Sequence, residues 1–536
     1  MLFRTLLATL LASATMHAAD QPQWGEAWGR NLVSNETGLP ADFDAATGHN
    51  IAWIAPLGTH SHSTPVVAGG RVYIGTNNAN PRDPAHTGDR GILLCLDEKD
   101  GSLIWQLVTP KRDDDKYFDW PNEGIASSVT VEGDRVYLVN NRHQVLCLDA
   151  AGMANGNDGP FKDEARLAFP HKAPAPEFQP ILAEGEAPIG PKDADVLWMF
   201  DMPAEAGIWP HDGAHSAILI RGDHLYLNTG TGVDNSHAVI RTPGAPSLIV
   251  LDKKTGRYLA RDGEGIAPHI FHGTWSAPAL GKAAGHEMIF FCGGDGIVRA
   301  FEPFAGESEN RSPGADHQSP APHAPATLRQ IWSFDPDPSA PKENISRFLN
   351  NRQQGPSNIY GMPVLAGGDL FVVGGGDVFW GKNEAWLKCL DAATGREKWS
   401  YALDRHTLST PAIADGLVFI ADTQRRIHCV DAVTGARVWV RETRGDFWAS
   451  PLIADGRLYI GSRKGDFWIM AASRAEKIFA TRELGRPMSA SPVAANGTLY
   501  IATMTQLFAL REGASLSMPA PDSSTRQAPS MVRPRP

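Results

Sequence analysis

The sequence predicts an all-β protein: an eight-bladed β-propeller of four-stranded antiparallel blades, closed by an N-terminal strand in the last blade. Three observations carry this. First, a unit of about 40 residues recurs. The aromatic residue of the second strand falls at Phe419, Tyr459 and Tyr500, so the periods are 459 − 419 = 40 and 500 − 459 = 41. Second, each unit reads as four short strands joined by tight turns, and so small a sheet buries its apolar face only by stacking on copies of itself. Third, the last unit stops after its third strand at Leu507 to Leu510, while Asn50 to Leu57 reads as an unpaired strand with Trp53 in the fourth-strand position. One blade built from both ends of the chain closes the ring and leaves no free sheet edge.

Taken in order, residues 1–19 have the form of a secretory signal peptide. Arg4 supplies the positive start, Leu6 to Ala14 the apolar stretch, and Ala18 or Ala19 the small residue before cleavage. That stretch is too short to span a bilayer, and no cysteine near it suggests a lipid anchor. The expectation is a periplasmic or secreted protein that does not span the membrane, most simply a monomer. Residues 20–49 form an N-terminal extension, residues 50–512 the propeller, and residues 513–536 a Pro- and Ser-rich tail expected to be disordered. A net charge of −11 argues against nucleic acid as a partner.

The clearest blade is residues 407–439: Ser409-Thr410-Pro411 opens it, Asp415-Gly416 turns it, and Asp431-Ala-Val-Thr-Gly435 leads to Trp439. Gly435 suits a positive φ and Asp431 can accept backbone N–H groups across the turn. Around the ring, Trp53, Trp105, Trp198, Trp332, Trp399 and Trp439 hold the equivalent fourth-strand position and are expected to wedge between blades. Blade three has Ala260 there, and blade seven is expected to use Phe479. Cys95, Cys147, Cys389 and Cys429 share one repeat position, so they are expected to be buried thiols too far apart for disulfides. Cys292 stands outside that pattern. Residues 151–195, 303–330 and 339–357 interrupt the period as loops.

The repeat P-h-h-x-x-G-x-h-Y-h-G … C-h-D-x-x-T-G-x-x-h-W resembles that of the pyrroloquinoline-quinone (PQQ) propellers, the quinoprotein alcohol dehydrogenase-like superfamily, over residues 50–511. The stretches WPNEGIASS (120–128), FDMPAEAGIWPHDGAHS (200–216), NTGTGVDNSH (228–237) and HGTWSAP (272–278) look like an exported bacterial subgroup of PQQ-like repeat proteins. The resemblance implies either a binding scaffold of the cell envelope or a PQQ- and calcium-dependent dehydrogenase of an alcohol or sugar. For the second role the family uses a Thr-Gly-Asn calcium motif, a Trp-Asp pair whose Asp is the base, and often a vicinal Cys pair. This chain has Thr229-Gly230-Thr231, Trp275-Ser276 and no vicinal cysteines. PQQ and calcium therefore remain an alternative, with Glu123 as the carboxylate that could ligate the ion.

Residues leading into each first strand, and the loops between second and third strands, share one face of a propeller. That rule collects His60, His62, Glu123, His211, Asp212, His215, Asp234, His237, His272, Trp275, Tyr360, Arg405, His406 and Trp448 as a candidate ligand-binding rim, with Asp377 and Trp380 among the loop residues. Polar, aromatic and titratable groups meeting in a concave mouth are what a binding site needs. His60-x-His62 lies on one strand face and, with His211, His215 or His272, could ligate zinc or copper. The sequence assigns no catalytic residue.

Overall fold

The computed structural model of the protein describes residues 19–112, 118–169, 189–212, 216–306 and 324–517. The signal-like stretch before residue 19, the tail beyond residue 517 and His215 lie outside those residues. The described residues form eight sheets, one per blade, and each blade is built on four antiparallel strands. The last blade is closed by the N-terminal strand His49–Pro56, with Trp53 opposite Ala509 and Ala55 opposite Leu507. Its third strand, Gln506–Ser515, runs past residue 512 to pair Ser515 with His49.

The Trp wedges follow one rule. Each indole N–H donates to a turn carbonyl of the next blade: Trp53 to Glu98, Trp105 to Ala150, Trp198 to Lys253, Trp332 to Ala392, Trp399 to Ala432 and Trp439 to Ser473, at 2.9–3.2 Å. In the Asp-x-x-Thr-Gly turns the Asp accepts from the Thr backbone N–H and hydroxyl, as Asp431 does from Thr434 at 2.9 Å for both. Gly101, Gly256, Gly395 and Gly435 have φ of 72–74°. A Cβ at any of them would lie 2.5–2.7 Å from the neighbouring indole, so glycine meets both a backbone and a packing demand.

The residue paired across the sheet with each Trp is small: Cys95, Cys147, Cys389 and Cys429 in four blades, Ala300 and Ala509 in two. Where the Trp is missing, the sizes exchange, with Val250 opposite Ala260 and Ile469 opposite Ala480. Phe479 is therefore not the wedge of blade seven. It occupies the bulge beside Ala480 and is 41% exposed. All five cysteines are buried free thiols.

Residues 19–36 do not hang free of the ring. They pass beneath it and contact the innermost strand of blade after blade. The N–H groups of Val67, Val131, Leu280, Leu365 and Ile453 donate to the carbonyls of Gln21, Pro22, Trp28, Gly29 and Leu32 at 2.7–3.1 Å. Ile413 N–H donates to the Asn31 amide oxygen at 2.9 Å, and Ser34 Oγ donates to the Ala494 carbonyl at 3.4 Å. Arg30, fully buried, donates to the carbonyls of Pro278 and Ala217. The inner edge of a blade has backbone groups that no strand pairs, and this strap pairs them. Above the strap, Ser and Thr hydroxyls do the same between neighbours. Thr64 N–H donates to Ser128 Oγ, Ser491 N–H to Thr64 Oγ1, Ser450 N–H to Ser491 Oγ, Thr410 N–H to Ser450 Oγ and Met362 N–H to Thr410 Oγ1, at 2.9–3.1 Å. That girdle is the physical reason for the Ser/Thr at the start of the repeat. Among the described residues no helix is long and apolar enough to cross a membrane.

Candidate functional site

The strap runs beneath the channel and puts Trp24 in the lining of its central cavity. Its volume is about 550 Å³. Of the residues collected from sequence, His60, His62, Glu123, His211, Asp212, His237, His272, Trp275, Tyr360 and Trp448 line it. Asp234, Arg405 and His406 do not. Asp234 holds its own loop, accepting from the Ser236 backbone N–H and facing Arg241. Arg405 donates to the Val378 carbonyl at 3.1 Å, and His406 is buried behind Tyr360, its ring 5.3 Å away. A lead-in position fixes the end of the channel a residue occupies but not which way its side chain turns. Trp24, Phe379, Trp380 and Arg463 also line the cavity. Trp380 was among the loop residues collected from sequence. Trp24 lay in an extension with no repeat signal, and nothing in the sequence singles out Phe379 or Arg463.

On one wall, His62 Nε2 lies 3.1 Å from Glu123 Oε1, and Trp448 stands 5.9 Å from the His62 ring. Arg463 lies over Trp448 at 4.4 Å and donates to Ser489 Oγ at 2.6 Å. On the opposite wall, three imidazoles meet. Ring centroids are 4.6 Å apart for His211 and His272, 4.8 Å for His211 and His237, and 5.5 Å for His237 and His272. His60 and His62 belong to no such group among the described residues, so the pairing of His60-x-His62 with the other histidines is not what the fold builds.

Asp377 anchors the histidine wall. Its carboxylate accepts from His272 Nδ1 at 2.9 Å, from the Tyr360 hydroxyl, and from the backbone N–H of Phe379 and Trp380 at 2.9 and 2.7 Å. Burial works against its charge, but His272 and these donors outweigh it and hold the carboxyl well below its usual range. For His272, burial opposes the imidazolium while Asp377 favours it more strongly, and the net shift is upward. Burial, and then the neighbouring imidazoles, push His211 and His237 down. Burial pushes Asp212 up to about 6. Asp212 and His237 hold φ of 61° and 56°, a left-handed conformation that is uncommon outside glycine and collects at functional sites.

His406 supplies a pH prediction. Its Nε2 donates to the Asn358 carbonyl at 3.0 Å, and burial lowers its pKa from 6.5 to about 4. Between those values the unfolded chain holds the extra proton, so stability falls as pH drops from about 6.5 to about 4. Urea denaturation of the wild type between pH 7.5 and pH 4 should show this loss. His406→Gln should remove up to about 3 kcal/mol of the acid-side loss. An unchanged pH dependence in the variant would exclude His406 as its source.

Of the residues that the PQQ resemblance assigns to calcium, Glu123 faces the cavity and the Thr-Gly-Thr motif does not. Thr229 and Thr231 are fully buried, with hydroxyls donating to the Pro246 and Trp209 carbonyls. Ser276, in the position of the base, donates to the Gly361 carbonyl at 2.9 Å and is also fully buried. Calcium takes 6–8 oxygen ligands, whereas the groups that converge here are mainly imidazole nitrogens. The residues present do not fit a calcium–quinone centre.

Residues 322–447 match the PQQ_2 family model, described as outer membrane protein assembly factor BamB. No curated protein matches the chain. Among solved structures, a europium-containing methanol dehydrogenase superposes with a TM-score of 0.56 at 12% identity, covering 90% of this chain and 89% of that one. The quinohemoprotein alcohol dehydrogenase ADHIIG from Pseudomonas putida HK5 gives a TM-score of 0.56 at 13% identity, covering 96% of this chain and 83% of that one. At such identities the likeness is one of fold. The match covers part of the chain, and the eight four-stranded sheets make the whole an eight-bladed β-propeller.

Proposed function

We propose that this propeller is a binding module of the cell envelope whose central cavity takes a planar organic anion. The signal-like N terminus motivates the location. The observation that carries the ligand class is Arg463. It is held over Trp448 by stacking and by Ser489, it lines the cavity, and among the described residues it forms no ion pair. A partly buried guanidinium on which Asp446 and Glu123 act only from beyond ion-pair distance is a ready partner for an anionic group, and arginine matches a carboxylate with two parallel donors. Trp275, Trp448, Phe379 and Trp380 offer faces and edges to a flat ring. A cavity of about 550 Å³ lies within the range of small-molecule sites.

The test is a titration followed by tryptophan fluorescence, with naphthalene-2,6-dicarboxylate and PQQ as planar anions and tricarballylate as a non-planar control. Saturable binding of the planar anions is expected, weakened at least about tenfold in Arg463→Met, the scale of one charge-assisted hydrogen bond. No binding, or equal binding by the variant, would overturn the proposal. Dye reduction with PQQ, Ca²⁺ and an alcohol or aldose, lost in Glu123→Gln, would instead make the protein a dehydrogenase.

A further inference from the structure

The histidine wall has a geometry that organic-anion binding does not require. His211 leads into blade three, His237 lies on the loop between that blade's second and third strands, and His272 leads into blade four. One nitrogen from each lies within 4.8 Å of the others. We propose that these three side chains form a site for a divalent transition metal of the zinc class, with Asp212 beside its remaining coordination position.

Four features support this. First, the ring orientations are set from behind. His211 Nδ1 lies 2.7 Å from the Val233 carbonyl, and His272 Nδ1 lies 2.9 Å from the Asp377 carboxylate. Both oxygens only accept, so both Nδ1 atoms carry a proton, which leaves each Nε2 as the atom whose lone pair a metal would take in place of a second proton. A carbonyl or carboxylate behind each ring is how metal-binding histidines are held. Second, the two lone pairs converge. Asp212 Oδ1 lies 3.7 Å from His211 Nε2 and Asp212 Oδ2 lies 3.8 Å from His272 Nε2, so one carboxylate faces both.

Third, carboxylates flank the group. Among the described residues, Asp212 and Asp377 have only histidines as ion-pair partners. Fourth, the backbone permits the approach. A Cβ on Gly232 would lie 2.6 Å from the His272 carbonyl and 2.8 Å from His211 Cβ, so only glycine lets these two lead-in segments meet.

Imidazole nitrogens select zinc, copper, nickel or cobalt over calcium and magnesium. Three nitrogens at zinc distances stand about 3.3 Å apart, so the rings must close by about 1.5 Å, within the reach of a turn of the half-exposed His237. Three protein ligands leave a coordination position open toward the cavity.

The experiment uses the full exported chain, treated with a chelator, dialysed, and titrated with Co²⁺ and Zn²⁺ without any organic ligand. One equivalent of Co²⁺ should give the visible d–d bands of a low-symmetry nitrogen site, and Zn²⁺ should displace it. His237→Gln, on a half-exposed loop and checked for folding by circular dichroism, should weaken binding by about 100-fold or more. Asp377→Asn should weaken it about 10–100-fold, as a positioning residue acting through His272. Arg463→Met should leave metal binding unchanged, which separates this inference from the anion site. Absence of stoichiometric binding, or binding that survives His237→Gln unchanged, would overturn it.

Discussion

Replacing Trp105 by alanine should lower the free energy of unfolding by about 3–5 kcal/mol, the cost of emptying a buried aromatic site. The ring is fully buried and sits 5.9 Å from Tyr73. Its indole N–H donates to the Ala150 carbonyl of the next blade at 2.9 Å, and a Cβ on Gly152 would lie 2.7 Å from its ring. Truncation therefore opens a cavity between two blades and leaves a part-buried carbonyl without its donor, and the two losses act together. Trp439→Ala, in the same register and bonded to the Ser473 carbonyl, should behave alike. Phe479→Ala should cost less than about 1 kcal/mol, because that ring is in the bulge, 41% exposed and covered by the surface side chains of Arg457 and Lys477. Urea denaturation of the three variants checks the ordering. A loss below about 1 kcal/mol for Trp105→Ala would mean that the rings cover the blades without holding them together.

The repeats, the turns and the ring closure were legible because each is written locally and many times. Asp431, Thr434, Gly435 and Trp439 recur with fixed spacing, and one turn explains them. The exceptions were legible only as gaps. Blades three and seven lack the Trp, and the full Asp-x-x-Thr-Gly turn stands only in blades three, five and six. The structure shows what the Trp needs, a turn carbonyl of the next blade and not the motif itself: Trp439 docks on Ser473 in a turn that has neither the Asp nor the Gly. In blade three, which lacks the Trp, Phe304 and Leu328 pack instead. Phe479 was misplaced because the turn before it is one residue longer: Asp431 N–H donates to the Ala436 carbonyl, whereas Ala471 N–H donates to the Lys477 carbonyl, and the bulge before the slot is shared with the other blades.

The rim was legible as a list and not as a geometry. Position in the repeat brings His211, His237 and His272 to one end of the channel, and it brings Arg405 and His406 there equally. Only packing separates them. His406 turns inward to the Asn358 carbonyl, while His272 turns to Asp377 and faces the cavity. Asp377 itself was one loop residue among several, because a partner 105 positions away in the chain leaves no local trace. The strap was missed for the same reason. It forms main-chain bonds to edges, which place little demand on side-chain pattern.

Deleting residues 20–36 should have the largest effect of all. The strap supplies acceptors for the inner-edge N–H groups of Val67, Val131, Leu280, Leu365 and Ile453, and Arg30 supplies donors to the Pro278 and Ala217 carbonyls. Removing it exposes a row of unpaired strand edges around one opening and takes away Trp24 from the cavity lining. Unpaired edges favour association between copies, so the shortened chain should aggregate where the full chain stays dispersed. Arg30→Met is the milder probe. Burial lowers the guanidinium's pKa to about 9, which means that the charge is held at a cost that its hydrogen bonds to carbonyls must offset. Methionine removes that cost but leaves the carbonyls without donors, so the net loss should be about 1–3 kcal/mol, well below that of the deletion. Hydrogen exchange reads the strap directly. The amides of Val67, Val131, Leu280, Leu365 and Ile453 should be protected in the full chain and exchange fast in the shortened one, while strand-paired amides such as that of Tyr459 exchange more slowly in both. Equal protection of those five amides in both chains would mean that the ring closes without the strap.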